Sequence, residues 1–126
     1  NGCVNFDYSV RSSVGSEKDM IIDKVCLLLS SQGAEVTVSG EYPAWEYRKD
    51  SALREKMIRI YENMFGTAPR VEAIHAGLEC GILASKLPGL DCVSIGPDMK
   101  DIHTPRERLS ISSTERVWNY ILEILK

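Results

Sequence analysis

A chain of 126 residues is long enough for one modest domain with a single core. Its 44% hydrophobic and 26% charged content argues against a disordered chain, and a net charge of −3 with no basic run argues against a nucleic-acid surface. No apolar segment approaches the roughly 20 residues of a membrane span.

The opening, Asn1 to Asp7, is polar and lacks an initiating Met, so no signal peptide is expected and the chain reads as a fragment or processed piece. Phe6 to Ser12 alternates, with Phe6, Tyr8 and Val10 on one face and Asp7, Ser9 and Arg11 on the other, which predicts a half-buried strand. Ser16-Glu17-Lys18-Asp19 predicts a helix start. Met20, Ile21, Val25, Leu28 and Leu29 then recur at helical spacing, and Gly33 closes the helix. Glu35 to Ser39 alternates again, completing a β-α-β unit. Gly40 to Asp50, with a Tyr-Pro pair and mixed charge, predicts a linker.

Ser51 predicts the cap of a second helix striped by Leu53, Met57, Ile60, Tyr61 and Met64, with Gly66 at its end. Arg70 to Ile74 is an extended run. A short helix is expected from about Gly77 or Leu78 to just before Pro88-Gly89. Leu90 to Ile95 reads as a buried strand. A brief strand at Leu109 to Ile111 follows, then a capping box at Ser112 to Glu115 and a terminal helix carrying Val117, Tyr120, Ile121, Ile124 and Leu125. Cys3, Cys26, Cys80 and Cys92 fit no zinc knuckle or disulfide framework and predict free, buried thiols in a reduced, cytoplasmic protein.

The chemistry-bearing residues gather in two loops, each after an apolar run, and the chain's two histidines lie there. His103 sits in a polar loop stiffened by Pro105, where an imidazole serves as metal ligand, proton shuttle or plain surface residue. Glu107 is available to hold that imidazole or to pair with Arg108. The strand-to-helix turn His75-Ala76-Gly77-Leu78-Glu79-Cys80-Gly81 offers main-chain amides for an anion. Glu79 in the first turn interacts favourably with the helix dipole. Cys80 beside a histidine also permits a thiolate nucleophile with His75 or His103 as base. Neither loop supplies the three or four ligands of a zinc site, so any co-ligands of His103 are expected outside this chain.

The heptapeptide from His75 to Gly81, Pro88-Gly89-Leu90-Asp91, and the string from Val93-Ser94-Ile95-Gly96-Pro97 to His103-Thr104-Pro105-Arg106-Glu107-Arg108 carry a resemblance. The chain resembles the C-terminal part of aminoacyl-histidine (Xaa-His) dipeptidases, carnosinase-like members of a zinc metallopeptidase superfamily. Weaker similarity runs through Val10-Arg11-Ser12-Ser13 and Gly40 to Trp45. The resemblance implies an α/β fold in which residues 1–44 end an inserted lid or dimerisation domain and residues 45–126 form the C-terminal part of the catalytic domain. It implies that His103 is the last metal ligand, that Gly77 and Glu79 line the substrate pocket with His75 in the same motif, and that Arg11 grips a substrate carboxylate. A general-base glutamate and the other ligands for two Zn2+ ions are implied upstream.

The expected activity of the parent is therefore hydrolysis of dipeptides of the Xaa-His type by metal-activated water, with this chain alone inactive. A stand-alone, non-catalytic ligand-binding or interaction domain of the same fold is the alternative. The expected partners are a small peptide and, through the lid or exposed strand edges, further copies of the chain; neither nucleic acid nor a membrane is expected.

Overall fold

The computed structural model describes residues 2–75 and 79–126. Among these lie the helices α1 (Gly15–Ser31), α2 (Ala52–Phe65), α3 (Glu79–Lys86) and α4 (Ile111–Ile124), and the strands β1 (Met99–Lys100) and β2 (Arg108–Leu109). The chain forms two compact units, Asn1–Arg48 with Glu72–Leu90, and Lys49–Val71 with Asp91–Lys126. These packing units are interleaved along the sequence rather than consecutive.

In the first unit, α1 starts one residue before Ser16, and its N-cap Val14 offers no side-chain cap. The sequence-predicted cap is displaced upstream: the Ser12 hydroxyl accepts from Val14 N at 3.1 Å and donates to Glu17 Oε2 at 3.3 Å. The helix ends as expected. Gly33 takes φ 81°, donates to Ser30 O at 2.9 Å, and Ala34 N reaches Leu29 O at 3.1 Å, a paired closure that needs a left-handed residue.

The predicted strands at Phe6 to Ser12 and Glu35 to Ser39 are not helical and join no ladder among the described residues. Both line an open groove of about 770 Å³, with Ile22, Val25, Cys26 and Leu29 of α1 also facing it. Alternation decides which face each side chain takes, but a strand also needs a neighbour for its N–H and C=O groups. Among the described residues neither run has such a neighbour. The runs at Arg70 to Ile74 and Leu90 to Ile95 likewise join no ladder among the described residues.

The expected linker is a packed segment instead. Lys18 Nζ donates to Tyr42 O at 2.6 Å, Gly15 N donates to Glu46 Oε1 at 3.0 Å, and Arg48 donates to Gly89 O at 2.9 Å. The backbone of α3 presses on it as well: a Cβ on Gly81 would lie 2.9 Å from Pro43 O and 3.4 Å from Trp45 Cβ. Glycine is what permits that approach.

The second unit is built on α2 against α4. Met57 and Tyr120 are its buried hydrophobic residues, 7% and 6% exposed. Tyr61 meets Tyr120 edge-on with ring centroids 5.4 Å apart, and Phe65 sits 4.6 Å from Tyr61. Such geometry adds about 0.5–1.5 kcal/mol per pair beyond burial. The Tyr120 hydroxyl donates to Met57 O at 2.7 Å, so its polar tip is satisfied.

Ser51 caps α2 as predicted, accepting from Arg54 N at 3.0 Å and donating to Asp91 Oδ1 at 2.7 Å. Asp91 Oδ2 takes the next free amide, Leu53 N, at 2.9 Å. A carboxylate on two groups of a helix start complements the dipole there. At the other end Gly66 is left-handed at φ 73°, as its sequence position predicts.

The α4 cap is Ser110, two residues ahead of the expected Ser112, and its hydroxyl accepts from Ser113 N. Ser113 is therefore inside the helix and buried, where its hydroxyl accepts from Asp98 N at 2.8 Å. The predicted strand at Leu109 to Ile111 is shorter and earlier. β2 pairs antiparallel with β1, Met99 opposite Leu109 and Lys100 opposite Arg108.

The four cysteines form no disulfide; Cys26, Cys80 and Cys92 are half-buried and Cys3 is exposed, so the expectation of buried thiols is only partly met. No helix of the described residues is long and apolar enough to cross a membrane.

Candidate functional site

His103 stands in the turn that joins β1 to β2. It adopts φ 63°, and Asp101 adopts φ 54°. Left-handed backbone at a residue other than glycine costs about 1–2 kcal/mol, so something must hold it. The Glu107 carboxylate does so, accepting the His103 main-chain N–H at 3.0 Å. Thr104 returns to Asp101 O through its N–H at 3.2 Å and its hydroxyl at 2.7 Å. Arg108 closes the turn on Asp101 Oδ2 at 2.8 Å.

Glu107 thus serves the histidine's backbone rather than its ring, and Arg108 pairs with Asp101 rather than with Glu107. The His103 side chain is exposed. The described residues contain no group of three or more His, Cys, Asp or Glu able to hold a metal ion. Among the described residues the donor set for a zinc centre around His103 is therefore incomplete.

His75 and Arg11 belong to the first unit. The structure brings their segments together: Ser13 N donates to His75 Nδ1 at 3.0 Å across 62 residues of sequence. Ser12 and Ser13 are both 9% exposed, whereas Arg11 points out, with Nε donating to Ser9 Oγ at 3.4 Å. Among the described residues Arg11 makes no ion pair, so its guanidinium is available to an anion. Glu79 opens α3 and is exposed. Gly77 lies outside the described residues. Cys80 is the second residue of α3, half-buried, and the turn before it is likewise outside the described residues.

Sequence reasoning missed the buried Ser12–Ser13 pair and the contact of α3 with residues 43–45. One signal was present. Gly81 follows Glu79 and Cys80 in a helical pattern, and a glycine inside a helix costs about 1 kcal/mol against alanine, which asks for a packing reason.

A search of family models finds no match. The cytosol non-specific dipeptidase of Escherichia coli (strain K12) is 34% identical over 117 residues, covering 93% of this chain and 24% of that protein. The crystal structure of aminoacylhistidine dipeptidase from Vibrio alginolyticus superposes with a TM-score of 0.74 at 32% identity. The chain belongs to this dipeptidase family. It spans about a quarter of the length of these relatives, 24% of the one and 23% of the other. Identity near one third across nearly the whole chain supports the resemblance carried by the His75 and His103 motifs, and the likeness in fold agrees with it.

Proposed function

We propose that this chain supplies one metal ligand and part of the substrate-binding wall of a zinc-dependent dipeptidase, and that it is inactive alone. The observation that carries the reading is the 34% identity to a dipeptidase over 93% of the chain. The geometry of the β1–β2 turn supports it. A histidine held at φ 63° by a dedicated carboxylate contact is a residue whose backbone is fixed.

In this reading residues 1–44 end a lid or dimerisation domain and residues 45–126 belong to the catalytic domain. The substrate is a dipeptide, of the Xaa-His class suggested by the name of the aminoacylhistidine dipeptidase. Arg11 binds its terminal carboxylate, because a guanidinium presents parallel N–H groups to both oxygens. Gly77, Glu79 and His75 line the substrate side. His103 would hold one of two zinc ions through a ring nitrogen. Bound zinc would polarise the scissile carbonyl and activate water. The remaining ligands and the general-base glutamate come from the rest of a longer protein, and the cytosol is its expected compartment.

Zinc content and dipeptide turnover in the full-length protein test the assignment. His103→Ala is expected to lose at least one of two zinc ions and to lower kcat/KM by about a thousandfold or more, on the scale of metal catalysis. Retention of both ions with undiminished turnover would overturn it.

A further inference from the structure

We infer that His75 is the positioning residue for Arg11, acting as a neutral imidazole whose Nδ1 lone pair holds the Ser13 amide; the functional part of this inference rests on Arg11 being the carboxylate grip. The Ser13 N–H donates to Nδ1 at 3.0 Å. A ring nitrogen that accepts a hydrogen bond carries no proton, so in a neutral ring the proton is on Nε2.

The other hydrogen bonds at Ser12 are local, to Val14 N and Glu17 Oε2. They shape the turn into α1 but fix it to nothing distant. The bond to His75 spans 62 residues and ties the Arg11 segment to the chain entering the His75 motif.

Arg11 lies two residues before Ser13, in a stretch that joins no helix or ladder among the described residues. Such backbone is free to swing, and a shift of about 1 Å in a binding group costs up to a hundredfold in rate. Pinning the Ser13 amide at the buried end of the segment removes that freedom. The guanidinium, exposed and without an ion pair among the described residues, then meets a carboxylate in a fixed place. The Nε2–H is left as a donor for a further oxygen.

Four variants of the full-length protein, His75→Ala, His75→Asn, Arg11→Ala and the His75→Ala/Arg11→Ala double, separate positioning from mere structure. The carboxamide oxygen of Asn overlays Nδ1, so His75→Asn keeps the acceptor, whereas His75→Ala removes it. His75→Ala is expected to raise KM about tenfold with a smaller change in kcat, His75→Asn to recover most of that loss, and His75→Ala to add little on an Arg11→Ala background. Full additivity with Arg11→Ala, or no recovery with Asn, would overturn the inference.

Long-range proton–nitrogen spectra of the full-length protein read the tautomer without any activity. Nε2–H with unprotonated Nδ1 supports the bond, and the reverse tautomer overturns it. If Arg11→Ala leaves KM unchanged while the spectra still show Nε2–H, the carboxylate grip is wrong and the positioning role falls with it, although the bond stands.

Discussion

The two units of this chain are held by different means. The second has a small packed centre, with Met57 and Tyr120 buried and three rings in contact, and its helix starts are capped by Ser51 and Ser110. The first has no buried residue on α1, and Leu27 and Leu28 are 74% and 63% exposed. What organises it is a set of single hydrogen bonds from distant parts of the chain: Ser13 to His75, Gly15 to Glu46, Arg48 to Gly89. Burial of a side chain is worth about 1.5–3 kcal/mol, and a net hydrogen bond about 1. The second unit therefore has the more robust centre, while the first keeps open the edges and the groove beside Arg11.

The whole chain exposes 10325 Å². Two compact bodies of half its mass each would expose about 8,000 Å². The apolar side chains of residues 4–8 and of α1 contribute to that excess; Val4, Phe6 and Tyr8 are 75%, 73% and 63% exposed.

The contrast is broken most strongly by Tyr120→Ala. Loss of the ring and of its bond to Met57 O is expected to destabilise the second unit by about 3–5 kcal/mol. Hydrogen exchange should show protection lost across α2 and α4 while amides of the first unit keep theirs. Protection lost equally in both units would mean that they unfold as one.

The opposite perturbation is Gly81→Val, which puts branched carbon where only 2.9 Å separates an ideal Cβ from Pro43 O. A cost of about 1–3 kcal/mol is expected, read as exposure of Trp45 to fluorescence quenchers, with α2 and α4 unaffected. Unchanged quenching would remove the role assigned to the glycine.

The smallest effect separates the units by pH. Burial, and after it the neighbouring Tyr61, raise the Tyr120 phenol above its ordinary value. A raised folded-state value means the contribution is fully present below the unfolded value near 10 and is lost as pH rises through the folded one. Denaturant midpoints of the second unit should fall in that alkaline window, and Tyr120→Phe should flatten the fall. An equal fall in the Phe variant would show that the tyrosine is not its source.

Helix ends and stripes were the most legible features, because they are written in neighbouring residues. Gly33 and Gly66 stop helices where their left-handed backbone is needed, and Ser51 caps where a serine precedes an apolar stripe. For strands, the alternation was legible but the ladders were not. The alternation of Phe6, Tyr8 and Val10 is real, but whether a ladder forms depends on a neighbour that alternation does not specify. The packed segment at residues 42–48 was hidden because its anchors, Lys18, Gly15, Gly81 and Gly89, are distant in sequence. In the motifs, residue type pointed to His75 and His103. The partner of each, the Ser13 amide and the Glu107 carboxylate on a main-chain N–H, required coordinates.

The β1–β2 turn has a consequence for selection and redesign. Glycine at positions 101 and 103 would relieve about 1 kcal/mol or more of left-handed backbone at each. A chain optimised for stability alone would therefore carry glycine at both; this one carries Asp101 and His103, at φ 54° and 63°. Asp101 recovers part of the cost through its ion pair with Arg108, but the His103 ring returns nothing to the fold among the described residues. Under the proposed ligand role, its presence there trades stability for a usable side chain, and a stabilisation screen that scores folding alone would select that side chain away.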